Sequence, residues 1–175
     1  MTLEAVGLCF GPLRSGSTML RLMLDGHSEL SCPSETDFLF DHIHPSAGDW
    51  SYDWDSLVRD RIFDASLIER PAGLEGVAAL HAMIAQIRDK GGGLPVLMLH
   101  RHLDRALRLL PTPKVVRLQR DPRDVARSAI GMGWAGNSYY GVDYWLETER
   151  SWRAGSQHLN ASPLEIRYED LVGAP

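Results

Sequence analysis

Residues 11–18, Gly11-Pro12-Leu13-Arg14-Ser15-Gly16-Ser17-Thr18, follow the apolar run Ala5-Val6-Gly7-Leu8-Cys9-Phe10 and precede Met19-Leu20-Arg21-Leu22-Met23-Leu24. A short strand, a turn rich in glycine and serine, and a helix start are the parts of a phosphate cradle. In such a cradle, backbone N–H groups and the positive end of the helix face an anion. The segment predicts a chain that holds a phosphorylated ligand.

The loop lacks one charge that a nucleotide triphosphatase loop carries. There, a lysine before the final Ser or Thr reaches the outer phosphates; here Ser17 stands in that place. Arg14 is the cation left within the loop, and its planar fork suits a tetrahedral oxyanion. This argues against ATP hydrolysis and for a different activated anion.

A second anion-binding pattern runs from Lys114-Val115-Val116-Arg117-Leu118-Gln119 into Arg120-Asp121-Pro122-Arg123-Asp124-Val125-Ala126-Arg127-Ser128. Pro122 suits the first turn of a helix and Asp121 its N-cap. Arg120 then ends a strand, and Ser128 follows about two turns later, where both can face one phosphate. The competing readings are an ion pair of Arg120 with Asp121 or Asp124, and Ser128 bonding back to its own helix.

Short apolar runs at 5–10, 95–99, 114–118 and 164–168 read as strands. Helical stretches at 17–26, 74–89, 103–110, 122–130 and 142–159 lie between them. Alternation of this kind implies an α/β fold, a central parallel sheet flanked by helices in three layers, with ligands at the carboxyl ends of the strands. Both anion motifs follow strand ends. Residues 49–55, with Trp50, Tyr52 and Trp54, show no clear period and read as an irregular excursion.

A length of 175 residues suits a single domain spanning 1–175. No apolar run is long enough to span a membrane, and residues 1–4 lack the basic start of a secretion signal, so a cytoplasmic protein without membrane association is expected. Cys9 and Cys32 show no metal-binding spacing and are expected as free thiols. A net charge of −5 disfavours nucleic-acid binding. Arginines cluster between 101 and 127, which suits focusing of a small polyanion into a cleft, and solvated helix faces are the alternative. No heptad seam fixes an oligomeric state, so a homo-oligomer stays open.

Taken together, these segments resemble the sulfotransferases that use 3′-phosphoadenosine-5′-phosphosulfate (PAPS). Arg14-Ser15-Gly16-Ser17-Thr18 is similar to their 5′-phosphosulfate loop, and Arg120 with Ser128 to their 3′-phosphate motif. Residues 22–27 and 32–36 resemble tyrosylprotein sulfotransferases and their bacterial relatives, and Ile166-Arg167-Tyr168-Glu169-Asp170-Leu171-Val172 matches a further family segment. The resemblance implies a P-loop-like fold and transfer of a sulfuryl group to a hydroxyl or amine without a metal. It places Arg14, Ser15, Gly16, Ser17 and Thr18 on the phosphosulfate, Arg120 and Ser128 on the 3′-phosphate, and Tyr168 near the nucleotide.

Glu35 matches the family glutamate that acts as general base, and desolvation beside a cleft is expected to raise its pKa. The alternative is that Ser34 or Thr36 caps the next helix, with Glu35 favouring its positive end. The family lysine that neutralises the leaving group has no counterpart between Lys90 and Lys114; His100 or Arg101 is the substitute on offer, and a structural or surface histidine is the alternative. Family members usually continue past the Tyr168 segment into a piece that closes over the nucleotide, which is expected to be missing here. Trp134 is a candidate wall of an acceptor pocket; Tyr144, Trp145 and Trp152 are expected to pack. The acceptor, whether small molecule, carbohydrate or peptide, is not legible. A small-molecule kinase with a degenerate loop and a non-catalytic nucleotide-binding module are the rival functions.

Overall fold

The computed structural model describes residues 5–173; residues 1–4, where the secretion-signal reading falls, lie outside them. Five parallel strands form the central sheet in the order β2-β5-β1-β6-β7. They are β1 (Gly7–Phe10), β2 (Leu30–Ser31), β5 (Leu94–Leu99), β6 (Lys114–Gln119) and β7 (Leu164–Arg167). Register aligns Phe10 with Leu99 on one side and Arg117 on the other, so β1 is central and its carboxyl end opens between β5 and β6. The α/β expectation holds, and four of the five strands coincide with the apolar runs. The strand that the sequence conceals is β2, whose two residues pair with Leu94 and Pro95.

Alternation along the strands divides the core. Leu8, Phe10, Leu97 and Leu99 face one way, joining Leu80, Met83 and Ile84 of α5 (Gly76–Gly91) and Leu103 of α6 (Leu103–Leu109). Cys9, Val96, Met98 and Leu118 face the other, joining Leu20 of α1 (Ser17–Asp25). Burial on both faces is why these strands read as continuous apolar runs. Cys9 and Cys32 are buried free thiols; burial pushes the Cys32 pKa up to about 12.

The excursion at 49–55 is half of a hairpin. β3 (Ile43–Ser46) pairs antiparallel with β4 (Asp49–Tyr52) across Ala47 and Gly48, both at positive φ, as a two-residue primed turn requires. Before it, α2 (Phe38–Asp41) buries Phe38, Leu39 and Phe40. Phe38 is 1% exposed and meets Phe63 edge-on at 5.6 Å. Phe38→Ala is expected to cost about 3–5 kcal/mol in chemical denaturation, because the void is lined by packed groups that cannot collapse.

Helices α3 (Trp54–Leu57) and α4 (Arg61–Ser66) complete this region, each N-capped by an aspartate, Asp53 and Asp60. After β6, α7 (Pro122–Gly131) begins as its sequence dictates: Pro122 occupies the first turn, and Asp121 accepts from the Arg123 N–H at 2.8 Å. Then follow α8 (Ser138–Gly141) and α9 (Asp143–Gly155), and α10 (Tyr168–Gly173) leaves β7 directly. Trp152 of α9 is buried with its ring 6.0 Å from Phe10, packing as expected.

Candidate active site

The loop between β1 and α1 crosses the sheet where β1 ends. Gly11 is wedged there: its N–H donates to the Leu99 carbonyl at 3.2 Å, and a Cβ would stand 2.6 Å from the Leu118 carbonyl oxygen. Arg14 and Gly16 take positive φ of 67° and 87°, which turns the chain so that α1 starts at Ser17. No side chain caps this helix. Its first-turn N–H groups are therefore free for an anion, reinforced by the helix dipole.

Ser15 stands apart from its loop neighbours, with its side chain turned inward. It is 0% exposed, and both its N–H and its Oγ–H donate to the Pro12 carbonyl, which locks the loop turn from behind.

A cavity of about 620 Å³ opens in front of the loop. Arg14, Gly16, Ser17, Thr18, Glu35, Arg120, Ser128, Trp134 and Tyr168 all line it. Of the nine residues that sequence assigns to the site, all but Ser15 meet there.

The two arginines lock together across the cavity. Arg14 Nε donates to Ser128 Oγ at 3.1 Å, and an Arg120 terminal N–H donates to the Arg14 carbonyl at 2.7 Å. Arg120 forms no ion pair with Asp121 or Asp124; among the described residues Asp121 pairs with Arg123. The Arg120 guanidinium lies 4.0 Å from the Tyr168 ring centroid, and its buried Nε has no acceptor among the described residues. A buried guanidinium N–H without an acceptor fits an anionic ligand. Arg14 lies 5.2 Å from the Trp134 ring centroid, so Trp134 is a wall of this cavity.

Tyr168 also fixes the identity of residue 16. A Cβ there would stand 2.3 Å from Tyr168 Cδ2, at a φ that L residues rarely adopt. Gly16→Ala is expected to cost about 1–2 kcal/mol from backbone conformation alone and to push Tyr168 off Arg120. A lowered unfolding midpoint together with loss of nucleotide binding is the expected result.

Glu35 reaches the cavity from the loop after β2. Thr36 pins that loop to β5 by donating its N–H and Oγ–H to the Met98 carbonyl at 2.9 and 3.1 Å. From the other side, α1 holds it through residues one turn apart. Arg21 donates to the carbonyls of Cys32 and Pro33 at 3.1 and 2.6 Å, and Asp25 accepts from the Cys32 N–H at 2.7 Å. Neither Ser34 nor Thr36 caps α2, whose N-cap is Asp37.

The expected rise in the Glu35 pKa is not what the surroundings produce. The His100 contact, with Nε2 3.5 Å from Oε1, outweighs burial and holds the carboxyl below its usual value. Arg101, offered as a substitute for the family lysine, is taken by Asp41, accepting at 2.7 Å from Nε. Neither Arg101 nor His100 lines the main cavity; both line a smaller one of about 190 Å³ on the far side of Glu35.

Comparison with known proteins decides the lineage, since a family model described as "Sulfotransferase family" matches residues 8–175. The chain belongs to the sulfotransferase family. A Caenorhabditis briggsae protein named as a candidate protein-tyrosine sulfotransferase is 31% identical over 128 residues, covering 69% of this chain and 41% of its own length. The sulfotransferase-family chain thus spans about two-fifths of that relative.

Two solved structures share the fold. The sulfotransferase domain from the curacin biosynthetic pathway gives a TM-score of 0.70 at 21% identity, covering 100% of this chain and 71% of that one. The sulfotransferase domain from the Synechococcus PCC 7002 olefin synthase gives 0.68 at 19% identity, covering 99% and 70%. Among the described residues, no cluster of His, Cys, Asp or Glu could hold a metal ion, and no helix is long and apolar enough to cross a membrane.

Sequence reasoning missed how the Glu35 loop is supported. Arg21 and Asp25, four residues apart on α1, were the available signal, since that spacing puts both on one helix face. Glu169, in the first turn of α10, accepts from the Asp121 N–H at 3.1 Å and ties α10 to the start of α7.

Proposed function

We propose that this chain binds PAPS and transfers its sulfuryl group to an acceptor hydroxyl or amine, releasing adenosine 3′,5′-bisphosphate. One observation carries the reading: the loop with Arg14, the motif with Arg120 and Ser128, Tyr168 and Glu35 converge on one cavity of about 620 Å³. The orphaned Arg120 Nε and the uncapped start of α1 supply two separate anion-binding points, as a ligand with phosphates at both ends of a ribose demands.

The nucleotide would supply the activated sulfuryl group. In the transfer, the acceptor oxygen forms a bond to sulfur while the bond from sulfur to the bridging oxygen breaks, leaving that electron pair on the phosphate. Arg14 and the N–H groups of Gly16, Ser17 and Thr18 stabilise the charge that develops there. Glu35 accepts the acceptor's proton. Arg120, stacked on Tyr168, holds the 3′-phosphate, and Ser128 fixes the Arg14 side chain while facing the same ligand.

A kinase reading is disfavoured by Ser17 in the place of the phosphate-reaching lysine. Buried thiols at Cys9 and Cys32 agree with a reducing, cytoplasmic setting. The test is calorimetric titration with adenosine 3′,5′-bisphosphate and with ATP in the presence of magnesium. Preferential binding of the bisphosphate is expected, and preference for ATP overturns the assignment.

A further inference from the structure

His100 directly follows β5, is 3% exposed, and has partners for all but one of its polar groups. Its N–H donates to Asp37 at 2.8 Å and its carbonyl accepts from Thr148 Oγ at 3.0 Å. Nδ1 lies 2.7 Å from the Gly11 carbonyl. A carbonyl only accepts, so Nδ1 carries a proton. That leaves Nε2, which is buried, has no hydrogen-bond partner among the described residues, and stands 3.5 Å from Glu35 Oε1.

We propose that His100 is the positioning residue of the Glu35 base: anchored on the first residue of the phosphate loop, its imidazolium presents Nε2–H to the carboxylate and keeps it ionised beside the reaction cavity. This rests on the sulfuryl-transfer reading and adds a residue to it. His100 lines the small cavity behind Glu35 and not the main one, so it acts through the carboxylate and does not touch the donor.

The charges around the pair favour this protonation state. Burial alone would lower the His100 pKa, but Glu35, Asp37 and the Gly11 carbonyl together raise it. On the Glu35 side, Arg21 from α1 and Arg101 add to His100 in favouring the ionised carboxylate. Asp41 of α2 occupies Arg101, and the buried Asp37 carboxylate is held by the N–H groups of His100 and Arg101.

An ionised but weakly basic carboxylate suits the chemistry. In loose transfers of this type, the attacking oxygen becomes acidic only late, so availability of the anion matters more than its intrinsic basicity. The Gly11 anchor has a second effect. The residue that sets the start of the phosphate loop also sets the base, so donor cradle and proton acceptor keep a fixed spacing.

The test uses the whole protein and two readouts. By nitrogen-detected NMR, His100 is expected to be doubly protonated at neutral pH, and Glu35→Gln is expected to lower its titration midpoint by about one pH unit. In pH–rate profiles of PAPS turnover, His100→Leu removes the imidazolium and lets burial dominate Glu35. The acid limb is expected to move to higher pH by about one unit, and His100→Gln, which keeps a donor, to recover part of that displacement. Binding of adenosine 3′,5′-bisphosphate by the unsubstituted protein, measured alongside, separates this result from failure of the transferase reading. A folded His100→Leu protein with an unmoved acid limb overturns the proposal. So does a His100 midpoint indifferent to Glu35→Gln, a measurement that needs neither turnover nor the His100 variants.

Discussion

Glu35→Gln is expected to lower the turnover number for sulfuryl transfer by about 10²- to 10⁴-fold, the usual contribution of a positioned proton acceptor. Glutamine keeps the shape of the side chain and its place beside His100, but removes the anion proposed to take the acceptor's proton. The cradle for the nucleotide does not involve this side chain, so adenosine 3′,5′-bisphosphate is expected to bind as tightly as before. Steady-state turnover of PAPS alongside calorimetry of the bisphosphate separates the two quantities. Loss of binding in step with turnover would mean that Glu35 supports the cavity and does not act in the reaction.

Arg120→Ala is expected to weaken bisphosphate binding by about 10- to 100-fold, from loss of charge-assisted hydrogen bonds worth about 1.5–3 kcal/mol each. The loss extends past the 3′-phosphate. Arg120 also donates to the Arg14 carbonyl and lies against Tyr168, so its removal frees both the loop and the ring that presses on Gly16. Arg120→Lys keeps a charge but not the planar fork, and is expected to recover only part of the affinity. Unchanged calorimetric affinity in Arg120→Ala would remove the second anion-binding point from the scheme.

What the sequence made legible was local. The phosphate loop is a run of adjacent residues whose turn chemistry and helix start can be read directly. Asp121-Pro122 announced α7 by the same local logic. The convergence of Arg14 and Arg120 followed from strand ends sharing one edge of a parallel sheet, which topology dictates once the strands are assigned.

The rest depended on partners distant in the chain. A two-residue strand such as β2 has no period of its own, and exists because Leu94 and Pro95 offer it a ladder. The hairpin from Ile43 to Tyr52 puts polar and aromatic residues on a half-exposed surface, so the alternation that marks most strands is absent. Glu35 illustrates the same limit in electrostatics. Burial was foreseeable from its loop, but the direction of its pKa was decided by His100, a residue whose approach depends on β5 and on Gly11. Ser15 was read together with its neighbours as a ligand residue; the fold turns its side chain inward onto Pro12.

The bonds that build the cavity join residues far apart along the backbone: 114 positions separate Arg14 from Ser128, and 106 separate Arg120 from Arg14. Tyr168 closes the arrangement from beyond β7. A nascent polypeptide emerging from the ribosome therefore has its first anion-binding loop early and waits until nearly all of the sheet is laid down before that loop acquires its counterpart. On the proposed reading, nucleotide capture requires both segments, and a fragment that ends before Arg120 lacks the second anion-binding point.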